Sequence, residues 1–151
     1  MSMGGAGSGT GLMLDTTLVD LEAAWRERER EAAALAAGYP ATSLTLRLYA
    51  LEIRIKTMIC RRLAINYLPK HCKTHELEEL MIFTGLIAEL DDPANAGIRQ
   101  NWDVLVHFAK TRLNNVRYLP GNALTAADLT RLLNALDDPS DGVWPWLSRH
   151  P

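Results

Sequence analysis

Three observations predict an all-α fold, an up-and-down bundle of four to five helices with a short C-terminal helix. Apolar residues recur at spacings of three and four along most of the 151-residue chain. The stretch from Thr42 to about Tyr67 holds no Gly or Pro, and it is far longer than an ordinary strand. Turn signals at Gly38 and Pro40, Pro69, Asp91-Asp92-Pro93 and Pro120-Gly121 fall between the periodic segments. The length suits a single domain, placed at residues 15–151 behind a Gly-rich, flexible tail at 1–14. A hydrophobic content of 48% with net charge −2 excludes disorder for most of it. Two cysteines make no disulfide framework, no apolar run reaches the ~20 residues that a bilayer span needs, and no signal peptide is evident. Together these predict a cytoplasmic protein with reduced thiols and no membrane association.

The first helix starts from Asp15, because Leu18, Leu21, Trp25, Ala32 and Leu35 keep one apolar stripe that Arg28 alone interrupts. The alternating run Arg26 to Glu31 reads as a solvated face, and Gly38 and Pro40 end the helix. In the second, Leu44, Leu46 and Leu48 alternate as a strand would. Leu44, Leu48, Leu51, Ile55, Met58 and Arg62 also fit a helical series, and length decides for helix. Apolar residues surround most of its circumference, which predicts a central helix packed on more than one side. Thr74 is the expected cap of a third helix carrying Leu77, Leu80, Met81, Thr84, Ile87 and Leu90. A fourth carries Ile98, Trp102, Leu105, Ala109, Leu113 and Val116, and ends before Pro120. Thr125 and Asp128 suit a capping pair for a fifth with Leu129, Leu132, Leu133 and Leu136 inward. The aromatic segment Val143-Trp144-Pro145-Trp146-Leu147 is expected to fold back over the bundle. Thr84 to Pro93 and Thr130 to Pro139 share the ending Leu-Asp-Asp-Pro, which reads as a common helix stop rather than a structural repeat.

Charge is segregated along the chain. From Arg47 to Lys73 seven Lys or Arg stand against Glu52, a balance of +6, and from Glu76 to Asp103 seven acids stand against Arg99, a balance of −6. Arg47, Arg54 and Arg61 fall at i, i+7 and i+14 and form one basic edge, while Glu52 and Lys56 are spaced to pair. Two readings follow. Either the basic edge is a surface for phosphate, or two neighbouring antiparallel helices supply each other's counter-charge.

Few residues are arranged for chemistry. His71, Cys72 and His75 with Cys60 upstream contain metal-ligand types, but a structural zinc site needs four converging ligands with a tight Cys pair, and Cys60 faces a core. No serine lies in a nucleophile-elbow pattern. The paired acids Glu78-Glu79 and Asp91-Asp92 read as solvated. No catalytic residue, metal or cofactor is assigned from the residues. His75, in the first turn of the third helix, suits a hydrogen bond to a neighbouring helix.

Leu51-Glu52-Ile53-Arg54-Ile55-Lys56, Leu68-Pro69, Thr74-His75-Glu76-Leu77-Glu78-Glu79-Leu80, Asn101-Trp102-Asp103-Val104-Leu105 and Val116-Arg117-Tyr118 follow one another in this order. In that order the chain resembles the HEPN superfamily of helical bundles (higher eukaryotes and prokaryotes nucleotide-binding) over roughly residues 42–147. The resemblance implies a dimerising bundle of prokaryotic type. Members are either metal-independent RNases, often toxins of toxin-antitoxin systems or defence effectors, or non-catalytic binding modules and partners of minimal nucleotidyltransferases. The RNases carry Arg, four to six residues, then His, where the His moves a proton and the Arg steadies phosphate charge.

This chain departs from that pattern. After Arg112 the required positions hold Arg117, Tyr118 and Leu119, and after Arg99 they hold Val104, Leu105 and Val106, with His107 one residue too late. An Arg at 117 cannot shuttle a proton near neutral pH. The expectation is therefore a non-enzymatic module, homodimeric, binding nucleotide or RNA or a separate nucleotidyltransferase. Glu52, Lys56, His75, Arg112, Arg117 and Tyr118 are the candidate ligand groups. The alternative is an RNase toxin or defence effector that uses Arg99 and His107 or a site assembled by the dimer.

Overall fold

Seven α-helices and two 3₁₀ turns, with no β-strand, make up the described part of the computed structural model, residues 16–113, 118 and 124–150. The expected N-terminal tail, Arg117 and the end of the fourth helix lie outside the described residues. Helix α1 runs Leu18–Leu35 and starts on Thr17, whose hydroxyl accepts the Asp20 N–H at 3.1 Å. Residues 36–39 turn the chain into α2, Pro40–Arg62. Pro40 opens this helix rather than only closing the one before, since its missing N–H and fixed φ suit a first helical turn.

Helix α2 is the central element, packed against α1 and two further helices, as its nearly continuous apolar circumference requires. Leu44, Leu48, Leu51, Ile55, Met58, Ile59 and Cys60 are all buried. It ends five residues before the expected Tyr67. Ala64 takes φ +54°, in the left-handed region, and Ile65 N–H turns back to the Cys60 carbonyl at 3.0 Å. The chain then runs back beside the start of α1, where Leu18 N–H donates to Asn66 O and Leu68 N–H to Thr16 O, both at 2.8 Å.

A 3₁₀ turn, Lys70–Cys72, leads to α3, Leu77–Thr84. Thr74 sits two residues too early to be the cap: its hydroxyl takes the Glu76 N–H at 3.1 Å, and Glu76 is the capping residue. The expected single helix through Leu90 is broken at Gly85, φ +76°, into α3 and the short α4, Ile87–Leu90. A second 3₁₀ turn, Pro93–Asn95, precedes α5, Ala96–Thr111. Helix α6, Ala126–Asp137, has the expected capping box of Thr125 and Asp128. The last helix, α7, Val143–Ser148, buries Val143, Trp146 and Leu147 against the bundle, as its aromatic composition demands. The shared Asp-Asp-Pro endings are helix stops: Asp92 accepts the Ala94 N–H, and Asp138 accepts those of Ser140 and Asp141.

The basic edge of α2 has a specific partner. Arg61 pairs with Glu22, Arg54 stacks on Trp25 at 5.3 Å, and Arg47 bonds Glu29 at 3.1 Å. The α2 numbers fall as the α1 numbers rise, so the two helices are antiparallel and zipped along their length. Arg54 also lies 4.4 Å over the Trp144 ring and donates to Ser148 Oγ, and Arg47 reaches Asp137, which fastens α6 and α7 to the same edge. The counter-charges for α2 arginines thus come from α1 and the C-terminal helices. The acidic segment finds its own: Glu78 on Lys110, Asp91 and Asp103 on Arg99, and Glu89 on His150.

Candidate functional site

A cleft of about 650 Å³ opens between α1, α2, the start of α3 and the end of α5. Its apolar wall is Leu48 and Ile53 from α2 with Leu77, Val106 and Ala109, and Leu113 just past the end of α5. On α5 the positions 106, 109, 110 and 113 follow i, i+3, i+4, i+7, so one helix face is presented to the cleft. Its polar groups are Arg28, Tyr49, Glu52, His75, Glu76 and Lys110. A volume of this size is in the range of small-molecule sites, and apolar and polar side chains line it in equal number.

Glu52 is the deepest charged group on that wall. Its side chain is 13% exposed, and its Oε1 accepts both Lys56 Nζ at 2.7 Å and a contact from His75 Nδ1 at 2.9 Å. Lys56, four residues along α2, is buried and points its ammonium back along the helix, while the exposed His75 ring meets the same carboxylate oxygen. Three of the sequence candidates therefore form one connected chain. Glu52 Oε2 makes no hydrogen bond among the described residues.

The cleft's cations are Arg28 and Lys110. Arg28 Nη2 bonds Glu31 at 2.7 Å, and its Nε is buried with no hydrogen-bond partner among the described residues. Lys110 bonds Glu78 at 2.6 Å, and that hydrogen bond holds its pKa above the ordinary lysine value. Arg28, Tyr49 and Lys110 were not singled out from the sequence as ligand groups. For Arg28 a signal was present, because a charged residue breaks the apolar stripe of α1 where the helix faces the cleft.

The remaining candidates stand elsewhere. Arg112, at the end of α5, bonds Asp128 at 3.1 Å and lines a second cleft of about 400 Å³ with His107 and Arg131, on the opposite flank of α5. Asp128 is held below the ordinary aspartate pKa, first by the Thr125 backbone N–H and then by Arg112. Tyr118 is 79% exposed. Arg99 and His107 do not share a cleft. Arg99 is held between Asp91 at 2.5 Å and Asp103 at 3.1 Å, and Asp103 lies between Arg99 and His107 on the helix.

Cys60 and Cys72 are buried, and desolvation pushes both thiols above their ordinary pKa. Among the described residues no three His, Cys, Asp or Glu side chains are grouped to hold a metal ion, and no helix is long and apolar enough to cross a membrane. The fold and cleft define an all-α bundle with a cavity lined by both apolar and polar side chains. Comparison with protein-family models, curated proteins and solved structures finds no match to the chain.

Proposed function

We propose that the protein is a non-enzymatic, HEPN-like binding module and that the cleft between α1, α2, α3 and α5 is its nucleotide site. The observation that carries this reading is the chain Lys56, Glu52, His75 on an apolar cleft wall, with Lys110 opposite to meet a phosphate. A buried carboxylate fixed by two partners is a pre-set hydrogen-bond acceptor, and a rim ammonium is a phosphate donor. Homodimerisation, association with a separate nucleotidyltransferase and a cytoplasmic location complete the proposal, on the strength of the resemblance over residues 42–147. Titration calorimetry of the purified protein with nucleoside 5′-monophosphates tests it. Saturable binding that weakens in Lys110→Ala supports the site; no heat at millimolar nucleotide overturns it. Sedimentation at micromolar concentration tests the dimer, which a single ~17 kDa species, the mass set by the chain length, refutes.

A second reading, a metal-independent endoribonuclease acting as a toxin or defence effector, is favoured by one observation: His107, Arg112 and Arg131 line one cleft, which places a titratable ring beside two guanidinium groups. Incubation with total RNA in EDTA separates the two. Cleavage that His107→Ala abolishes establishes the enzyme and overturns the non-catalytic reading.

A further inference from the structure

We propose that the nucleotide cleft selects bases with a keto edge, in which a ring N–H stands beside a carbonyl, over bases with an amino edge. This inference rests on the nucleotide-binding reading above. It follows from two unmet hydrogen-bonding groups on the cleft walls. Glu52 Oε2 is an acceptor with no partner among the described residues, since Lys56 and His75 both use Oε1. The Arg28 guanidinium keeps its Nη1 donors for a ligand, since Nη2 pairs with Glu31 at 2.7 Å and Glu27 at 3.6 Å and Nε is buried out of reach. A carboxylate oxygen accepts only, and a guanidinium donates only. A ligand that satisfies both must present a donor and an acceptor, over a flat apolar body that covers Leu48, Ile53 and Val106.

Guanine, hypoxanthine and uracil present that pair in adjacent atoms, the ring N–H to Glu52 and the carbonyl oxygen to Arg28. Adenine and cytosine present the reverse: the ring nitrogen is a lone pair, which faces the Glu52 carboxylate, and the exocyclic amine is a donor, which faces Arg28. Both mismatches leave cleft polar groups covered by the bound base and unpaired, and groups left unpaired on binding discriminate more strongly than missing contacts. The 5′-phosphate then lies toward Lys110, in competition with Glu78. The carboxylate is held in place by Lys56 and His75, so little ordering is left for the ligand to do.

Inosine and adenosine 5′-monophosphates differ at this edge alone, and calorimetry on the intact protein compares them directly. A preference for the inosine nucleotide of about tenfold or more is expected, the scale of one bidentate base contact, with guanosine and uridine monophosphates following it. Glu52→Gln, whose amide offers a donor to the vacant position and still accepts from Lys56, is expected to bring the two within about twofold of each other or to invert them. Arg28→Lys keeps the charge and loses the fork, and is expected to reduce the preference several-fold, so the inference is testable even where the Glu52 variant fails to fold. Equal binding of the two nucleotides overturns the edge selection and leaves nucleotide binding standing. Full preference in both variants overturns the assignment to Glu52 and Arg28. No binding of any monophosphate overturns the underlying reading as well.

Discussion

Removing the Glu52 carboxylate tests its structural role apart from the binding role proposed for it. In Glu52→Ala the Lys56 ammonium loses its 2.7 Å partner while its side chain remains 9% exposed. Breaking a buried pair by removing one member costs about 3–5 kcal/mol, because the other charge stays desolvated and unpaired. The pair keeps some contact with water through the cleft, so the lower end applies, about 3 kcal/mol. For a domain of this length that lowers Tm by roughly 6–12 °C. Lys56→Met removes the other charge but leaves Glu52 with His75 and the open cleft, and costs about 1 kcal/mol. The double variant leaves no unpaired buried charge, and its loss of about 2 kcal/mol falls short of the roughly 4 kcal/mol sum of the singles, a coupling of about 2 kcal/mol. Thermal and urea unfolding followed by circular dichroism read all four corners of the cycle. Glu52→Gln keeps an acceptor for Lys56 and is expected to stay within about 1 kcal/mol of the parent. An additive cycle, or a Glu52→Ala protein as stable as the parent, refutes the picture of a buried, mutually dependent pair.

Three further outcomes are expected. A Cβ at Gly142 would meet the Asp138 backbone O and N at 2.5 and 2.6 Å, atoms that cannot swing aside, so Gly142→Ala is expected to lose about 1–3 kcal/mol in urea unfolding, with changed near-ultraviolet signal from Trp144 and Trp146. Asp128 has its pKa depressed in the folded chain, so its contribution is complete above the ordinary aspartate pKa and is lost as pH falls through the lower folded value; acid titration of the α6 amides by NMR checks this, and an ordinary midpoint at Asp128 counts against the capping box. For Cys60 and Cys72 the folded pKa is raised, so their contribution is complete below the ordinary thiol pKa and is lost as pH rises through it toward the folded value. At neutral pH both should resist a thiol reagent until the protein unfolds, and rapid native labelling would contradict their burial.

Local signals in the sequence were read correctly where one residue type carries them. Thr125 with Asp128 states its capping box outright, Pro40 and Gly38 place the first interhelical turn, and the aromatic tail is too apolar to stay unpacked. Three boundaries differ from the sequence expectation for a physical reason. The end of α2 is carried by Ala64 in the left-handed region, a conformation alanine adopts only when packing imposes it, so composition offers no warning. Gly85 does break the third helix, but a lone glycine within an apolar periodic run is also tolerated there, and Thr74 drew the start too early. Within the site, the i, i+4 pair Glu52 and Lys56 was legible because both lie on one helix. Arg28, Tyr49 and Lys110 join it from positions up to 82 residues apart in sequence, and only the packing of α1 and α5 on α2 brings them to one cleft.

The packing also decides where on this chain an anion is met. The +6 stretch suggested a basic surface along α2, but the side chain of Arg47 is 14% exposed between Glu29 and Asp137, and Arg54 is enclosed by Trp25, Trp144 and Ser148. Desolvation lowers the Arg54 pKa, as expected of a guanidinium that faces rings rather than carboxylates. For a polyanion to use Arg47 and Arg54, α1 would have to leave α2 and the C-terminal helix would have to lift off, exposing Leu21, Trp146 and Leu147 to water at roughly 1.5–3 kcal/mol each, while Arg61, 47% exposed, is a single surface cation paired with Glu22. That cost exceeds what phosphate contacts on these two arginines return, because one already has two acids and the other two aromatic faces. On the reading proposed above, phosphate is met instead on the two flanks of α5, where Lys110, paired with Glu78, and Arg112, paired with Asp128, keep side chains 47% and 40% exposed.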